Sequence, residues 1–218
     1  MVVGKLQKKA IKIDQALSES FPDARVELDF ATPIELLVAT MLSAQSTDVK
    51  VNQVTKSLFL KYPTLNDYLD VSLDEFESDI RSIGIYRQKA KNIRGALIIV
   101  NEKFDGVLPS KIECLLSLPG IGRKSANVIL GNIFGIPGIV VDTHVSRVSR
   151  RLGLTHQNDP AKIESELGIL LPKQKWIKFG QRVVLHGRYI CKAQKPLCED
   201  CNIISECISE EKVLDGIA

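Results

Sequence analysis

Residues 118–126, Leu-Pro-Gly-Ile-Gly-Arg-Lys-Ser-Ala, combine a tight turn with a lysine. The two glycines predict a turn whose bare backbone can approach a ligand closely. The residues after Gly122 have a helical pattern, so unpaired N–H groups at the helix start can bind a phosphate oxygen. Lys124 lies in the first helical turn, where the helix dipole opposes its charge and eases loss of its proton. This run therefore predicts chemistry on a nucleic acid.

A second chemical signal comes from cysteines near the end of the chain. Four thiolates suit either a tetrahedral zinc ion or an iron–sulfur cluster, and composition alone leaves both open. The alternative is four unligated cysteines. Cys114 lies among apolar residues and is expected in the core. The four candidate ligands, spaced x6, x2 and x5, are Cys191, Cys198, Cys201 and Cys207.

Composition limits the partners. The chain has 218 residues and a net charge of +3, so any contact with DNA must come from a local cluster of charge. Hydrophobic residues make up 44% of the chain, which is enough for one large domain or two small ones. Lysines interrupt the N-terminal stretch, and we expect a cytoplasmic monomer with no secretory signal and no membrane partner.

The coarse pattern is one helix after another, which predicts an all-α fold. Thr32, Ser72 and Ser110 are each followed three residues later by Glu, so capping boxes are expected there. Asp159 before a proline opens a further helix, and Gly84 is expected to stop the helix after Ser72. Between residues 86 and 104 the apolar spacing predicts a buried helical stripe: Ile93, Ala96, Leu97, Val100 and Phe104.

Three segments depart from the helical pattern. Residues 134–138, Phe-Gly-Ile-Pro-Gly, form a break that can join two helical lobes. Residues 139–141 are strand-like but too short to require a strand. Residues 191–207 have little periodicity, which indicates a loop organised around something other than an apolar core.

Four motifs taken together resemble the endonuclease III family of DNA base-excision-repair glycosylases. They occur in the family's order and span nearly the whole chain. They are residues 42–48 (LSAQSTD), residues 118–126, residues 141–145 (VDTHV), and the four cysteines preceded by residues 186–189 (HGRY).

The resemblance implies two helical lobes with a cleft between them. A six-helix barrel is expected at residues 26–135, with a helix-hairpin-helix motif at about 112–131. Residues 1–25 and 136–218 are expected to form the other lobe. That lobe would hold a [4Fe–4S] cluster on the four spaced cysteines, and the cluster would build a surface that contacts DNA.

The resemblance assigns the catalytic pair to Lys124 and Asp142. A desolvated lysine beside Arg123 is pushed toward the neutral amine, which attacks C1′ of the deoxyribose and expels the damaged base. The resulting Schiff base permits β-elimination, which cuts the strand 3′ to the lesion, while a carboxylate stabilises the developing sugar cation. The implied activity is a DNA glycosylase and abasic-site lyase acting on oxidised pyrimidines in duplex DNA. From the residues alone, Lys124 is also consistent with a phosphate contact, and Asp142 is also consistent with a helix N-cap.

An enzyme that reaches C1′ must take the nucleotide out of the stack and fill the gap. The resemblance implies that Gln45 enters the gap and that Ile85 is an apolar wedge on the other strand. From the residues alone, Gln45 also suits a surface position after a helix, and Ile85 a core position. Arg87, Lys89 and Lys91 are candidate phosphate contacts near the wedge. The further expected DNA contacts are Leu118, Gly120, Gly122, His144, Lys192 and Lys195.

Two competing functions have distinct signatures. A monofunctional adenine or mismatch glycosylase of the same superfamily lacks the lysine at position 124 and uses an activated water. Adenine enzymes also carry an extra C-terminal domain, which we do not expect because the chain ends eleven residues after Cys207. A non-enzymatic DNA-binding module with a zinc site would explain the hairpin and the cysteines. It would not explain Gln45 or the pairing of Lys124 with Asp142.

Overall fold

Helices follow one another along the whole described chain. The structure, a computed structural model, describes residues 2–210, and no β-strand occurs among them. Two single-turn 3-10 helices lie at Lys173–Lys175 and Ile204–Glu206. The α-helices are α1 Val2–Ser20, α2 Pro33–Leu42, α3 Asp48–Lys61, α4 Leu65–Asp70, α5 Leu73–Asp79, α6 Tyr86–Phe104, α7 Ile112–Leu116, α8 Arg123–Phe134, α9 Thr143–Arg151, α10 Pro160–Leu170 and α11 Trp176–Tyr189.

The chain divides into two compact units, Glu27–Ile136 and the combination of Met1–Val26 with Pro137–Ala218. We call these the central unit and the terminal unit. The boundary between Ile136 and Pro137 lies in the glycine and proline segment. All residues of the central unit are described, and they form helices α2 to α8.

The central unit is organised around α2 and α6. Helix α2 packs against α3, α6 and α8, and α6 also packs against α4 and α5. The apolar stripe of α6 is buried at Ile93, Ala96, Leu97 and Val100, as expected, whereas Phe104 at the end of the helix is only half-buried. This packing leaves the turns after α2 and before α6 at one end of two well-anchored helices.

Local capping explains several helix starts. The predicted capping box at Thr32 is confirmed. The Thr32 side chain accepts from the Glu35 N–H, and the Glu35 carboxylate accepts from the Thr32 N–H. Ser72 caps α5 by accepting from the N–H of Glu75. Asp159 caps α10 in the same way, with a proline at the first helical position.

Two expectations about helices of the central unit are wrong. Helix α5 ends at Asp79 rather than at Gly84, and the N–H groups of Arg81 and Ile83 bond three residues back instead of four. Ser110 caps nothing, since α7 begins after Lys111 and its first backbone bond joins Leu115 to the Lys111 carbonyl.

Cys114 is half-buried rather than a core residue. The five-residue helix α7 buries only Leu115 and leaves Leu116 exposed, so one face alone reaches the core.

The terminal unit packs α11 against α1 and α9, and α10 against α1. Its core includes Ile13, Leu17, Val145 and Phe179, all fully buried. A buried charge also joins two of its helices, because Asp14 of α1 pairs with Arg182 of α11 at 2.9 Å. Within residues 2–210, no helix is long and apolar enough to cross a membrane.

Candidate functional site

The turn between α7 and α8 has the backbone of a ligand-binding hairpin. Gly120 has a φ of +78°, and a Cβ there would lie 2.8 Å from the Asn92 amide nitrogen. Gly122 is the N-cap of α8 and makes no side-chain cap, and a Cβ there would meet nothing within 4 Å. Because the cap residue has no side chain to cover them, the first N–H groups of this twelve-residue helix can bind an anion.

Lys124 follows in the first turn of α8, as the sequence predicts. Its side chain is exposed, so the expectation of a desolvated amine is wrong for this conformation of the chain. The reason is its position at the exposed start of the helix, while the buried face of α8 begins at Ala126. The amine is therefore accessible to a ligand held by the hairpin.

Asp142 is the N-cap of α9, which confirms the capping role read from the residues. One of its carboxylate oxygens accepts from the Val145 N–H at 2.9 Å. This bond fixes the side chain at the start of a helix in the terminal unit. Lys124 belongs to the central unit, so the two predicted catalytic residues come from different units.

The four spaced cysteines line one cavity in the terminal unit. About 410 Å³ of space there is not filled by atoms, part of it open to solvent. All four are half-buried and free of disulfides. Burial raises the pKa of the Cys201 thiol, a hydrogen bond from the Ile203 backbone opposes this, and the other three cysteines raise it further. The other three cysteines therefore lie close enough to Cys201 to affect its ionisation.

Arginine side chains hold the chain around this cavity. Arg147 donates from Nη2 to the carbonyls of Gly187 and Cys191. Arg151 donates to the Lys192 carbonyl at 2.7 Å and approaches the Cys191 sulfur at 3.4 Å. These bonds fix the end of α11 and the start of the cysteine loop.

A buried histidine also faces the cysteines. The His186 Nε2 atom lies 3.7 Å from the Cys201 sulfur. Burial lowers the pKa of His186 to about 4, which keeps the ring neutral at physiological pH. The cavity therefore presents thiols with neutral and cationic groups around them.

The donor set can be tested against the two candidate metals. No group of three or more His, Cys, Asp or Glu side chains in residues 2–210 is arranged to hold one metal ion. Thiolates on a single zinc would all lie about 2.3 Å from one point. The four cysteines line one cavity, and four cysteine thiolates around a cavity fit a cluster of several irons with one thiolate to each iron.

Three exposed non-glycine residues of the central unit have a positive φ: Gln45, Ile85 and, at the end of α6, Asp105. Gln45 lies in the turn after α2 with a φ of 56°, and Ile85 caps α6 with a φ of 58°. Non-glycine residues rarely adopt this conformation, and for a β-branched residue it is a genuine outlier. Ile85 is 58% exposed, so the alternative of a core isoleucine is wrong.

Lys89 is buried and does not face a phosphate. Its ammonium donates to the Leu42 carbonyl at 2.8 Å and to the Ser46 hydroxyl at 3.1 Å. Only 8% of the residue is exposed, which makes the expected phosphate contact wrong. By contrast, Arg87 and Lys91 on the same helix are exposed.

Comparison with known proteins identifies the family. Residues 38–173 match the family described as HhH-GPD superfamily base excision DNA repair protein. The endonuclease III of Synechocystis sp. is 47% identical over 206 residues, covering 94% of this chain and 94% of that protein. The endonuclease III of Bacillus subtilis is 46% identical over 197 residues, covering 90% of each. The chain belongs to the endonuclease III family.

Solved structures agree with this assignment to the endonuclease III family. A non-covalent endonuclease III–DNA complex is 45% identical to this chain with a TM-score of 0.89. The match covers 93% of this chain and 95% of that chain. A trapped endonuclease III–DNA covalent intermediate gives the same identity, coverage and TM-score. The all-helical fold predicted from the sequence is therefore confirmed.

The other residues that were predicted to contact DNA differ in their burial and in their neighbours in this endonuclease III family member. Leu118 is buried as a whole residue, so it offers little surface to a ligand in this structure. The His144 Nδ1 atom lies 3.3 Å from an Arg147 nitrogen, which ties this histidine to the arginine that holds the cysteine loop. Lys192 and Lys195 are exposed in the loop between the first two spaced cysteines.

Sequence reasoning missed the internal role of Lys89. A signal was present, because Lys89 lies four residues before Ile93 and so falls on the apolar stripe of α6. A lysine on a buried stripe indicates an internal acceptor rather than a surface contact. The positive φ values of Gln45 and Ile85 had no comparable signal, because neither residue type favours that conformation.

Proposed function

We propose that this protein is a bifunctional DNA repair enzyme that releases a damaged base and then cleaves the abasic strand. The observation that carries the proposal is Lys124, an exposed amine in the first turn of a helix that begins at an uncapped glycine hairpin. The hairpin N–H groups bind a backbone phosphate, and the amine follows them directly in the chain. The solved DNA complexes of similar proteins support DNA as the partner.

Lys124 acts as the nucleophile in this proposal. Its neutral amine forms a bond to C1′, and the bond from C1′ to the base breaks with the electron pair leaving on the base. Loss of a proton from nitrogen and opening of the sugar ring give an iminium linkage. The iminium acidifies the 2′ proton, and its removal expels the 3′ phosphate by β-elimination. The strand is cut 3′ to the lesion, and hydrolysis of the imine frees the lysine.

Asp142 acts electrostatically in the same reaction. Its carboxylate is held in place by the hydrogen bond to the Val145 N–H, which uses one of its two oxygens. A fixed negative charge stabilises the sugar cation that develops as the base leaves, and a carboxylate can assist proton transfer. The N-cap role and the catalytic role are therefore compatible in one side chain.

The substrate of this proposal is duplex DNA with an oxidised or ring-saturated pyrimidine, such as thymine glycol. The damaged nucleotide leaves the stack, which requires a side chain to fill the gap. Gln45 and Ile85 supply this function, because both are exposed and held in strained turns of the central unit. Strain of this kind is retained in proteins where the surrounding structure fixes it for a function.

A [4Fe–4S] cluster completes the proposal for the terminal unit. Cys191, Cys198, Cys201 and Cys207 would hold it in the cavity that they line. When bound, the cluster supplies four metal–thiolate bonds that order the loop. The exposed Lys192 and Lys195 then take fixed positions from which they contact phosphates.

Base release by an Asp142→Asn variant tests the proposed chemistry. Asparagine caps a helix about as well as aspartate, so the fold should persist while the charge is lost. Release of thymine glycol from a duplex should slow by at least ~10²-fold, the usual scale for losing acid–base or electrostatic help. The reaction is followed by single-turnover product analysis.

The matched control is Asp159→Asn. Asp159 caps α10 in the same unit, with its carboxylate accepting from the Lys162 N–H at 2.9 Å. This variant makes the same chemical change at a cap with no catalytic role, so base release should stay at the wild-type rate. Equal rates in both variants would remove Asp142 from the reaction.

A further inference from the structure

The turns that present Gln45 and Ile85 are joined inside the central unit. Gln45 follows α2, whose last residue is Leu42, and Ile85 begins α6. The connection runs through Lys89, one turn into α6, whose backbone N–H bonds to the Ile85 carbonyl at 3.1 Å.

The Lys89 ammonium reaches both sides of the Gln45 turn. It donates to the Leu42 carbonyl, which precedes Gln45, and to the Ser46 hydroxyl, which follows it. The last carbonyls of a helix have no partner within the helix, and the helix dipole favours a cation there. One side chain on α6 therefore binds the last carbonyl of α2 and also binds the turn that follows it.

A buried lysine is an unfavourable choice if only stability matters. Burial lowers its pKa, since taking the ammonium out of water disfavours the charged form. An apolar residue would fill the same stripe of α6 without that penalty. What the lysine adds is a directional link between two specific turns, both of which carry an exposed residue in a strained conformation.

We propose that Lys89 is a positioning residue that holds the Gln45 turn and the Ile85 turn in one fixed arrangement, so that both side chains enter the duplex together. This inference rests on the proposed function, because it assigns a purpose to the extrusion step. Lys89 itself contacts no DNA. It acts through Leu42 and Ser46 on the turn, and through its own helix on Ile85.

The central unit contains a matched control for this arrangement. Arg94 lies on the same helix and donates to the carbonyls of Leu69 and Val71 at 2.9 and 2.7 Å. It therefore makes the same kind of link, from a cation on α6 to carbonyls at the end of another helix. That helix is α4, and no strained exposed residue lies in the turn after it.

Lys89→Met and Arg94→Met are compared with the wild type at one salt concentration. Three quantities are measured for each protein: affinity for undamaged duplex, the single-turnover rate of thymine glycol release, and the rate of cleavage at a preformed abasic site. Thermal melting shows how much each change destabilises the fold. The Lys89 variant should release base about 10- to 100-fold more slowly, the scale for misplacing groups by about 1 Å.

The pattern of effects separates positioning from stability. Undamaged-duplex affinity should be unchanged in the Lys89 variant, and cleavage of an abasic site should fall less, since no base has to be extruded. Arg94→Met should melt earlier yet keep all three functional values. Combining Lys89→Met with Gln45→Ala should cost little more than Gln45→Ala alone, because residues that act through one another are not additive.

Ser46→Ala covers the case in which the Lys89 variant fails to fold. It removes one acceptor of the Lys89 ammonium and should slow base release in the same direction by a smaller factor. A normal rate in Ser46→Ala and Lys89→Met, or equal slowing in Arg94→Met, would overturn the inference while the wild type still releases base. A wild type that releases no base would contradict the proposed function and overturn this inference with it.

Discussion

The central unit and the cysteine segment, residues 191–207, are stabilised by different means. The central unit buries apolar faces of α6 and α8 against α2. In the cysteine segment Ile203 is the only buried residue, and a single-turn helix at Ile204–Glu206 is its only regular structure. The first region therefore folds by burial of apolar surface, whereas the second is held by hydrogen bonds from Arg147 and Arg151 and is where we propose a bound cluster.

The largest effect is expected from removing a thiolate of the cysteine segment. Any Cys→Ser change at Cys191, Cys198, Cys201 or Cys207 should abolish the iron and sulfide content and sharply lower the soluble yield, because metal binding contributes directly to the folding of such segments. Wild-type protein purified without oxygen should contain four irons and four inorganic sulfides per chain, measured by metal and sulfide analysis. Cys114→Ser should leave both values unchanged. Zinc without sulfide in the wild type would contradict the cluster.

Sequence periodicity predicted a buried helix face in the central unit, but it did not predict how the turns of that unit are arranged. The stripe from Ile93 to Val100 predicted the buried face of α6, because a helix must turn its apolar side to the core. The box expected at Ser110 was wrong because α7 begins one residue later, with Lys111 as its N-cap. Lys89 was placed on the surface because its partners, Leu42 and Ser46, are more than forty residues away in sequence.

The residues of the candidate site likewise differ in how well their positions could be predicted from the sequence. The glycine hairpin before Lys124 and the capping position of Asp142 could be predicted, since each depends on a few adjacent residues. The grouping of the cysteines around a cavity follows from long-range packing, which spacing suggests but does not specify. The αL conformation of Ile85 could not be predicted, because local preference opposes it.

An effect of intermediate size is expected at the glycine hairpin of the central unit, where stability depends on close packing and not on a bound group. Gly120→Ala should destabilise the protein by about 1–3 kcal/mol, because alanine is strained at positive φ and its Cβ would meet Asn92. Gly122→Ala is the control: its φ is −100° and a Cβ there meets nothing within 4 Å. Urea unfolding of both variants should separate them, and equal midpoints would contradict the steric account.

The smallest effect concerns an aromatic group of the central unit at alkaline pH. Burial, and then the hydrogen bond to Asp79 at 2.5 Å, raise the pKa of Tyr62 to about 12 from an ordinary value of 10.0. Between these values the unfolded chain loses the tyrosine proton and the folded chain keeps it. Stability should therefore fall as the pH rises from about 10 to about 12.

Tyr62→Phe should make that alkaline loss smaller, although it also lowers stability slightly at neutral pH by removing the bond to Asp79. The comparison is made on urea midpoints at pH 8 and pH 11 for both proteins. A phenylalanine variant with the same pH dependence as the wild type would show that Tyr62 does not contribute. Iron content should be the same in both proteins, because the change lies outside the cysteine segment.

Covalent trapping through Lys124 tests the central claim most directly. Reduction with borohydride during reaction should convert the iminium to a stable amine and cross-link wild-type protein to a duplex containing thymine glycol. Lys124→Gln should bind the same duplex, keep its iron and give no cross-link. A cross-link of undiminished yield in Lys124→Gln, or base release by the wild type without any cross-link, would contradict a lysine nucleophile at this position.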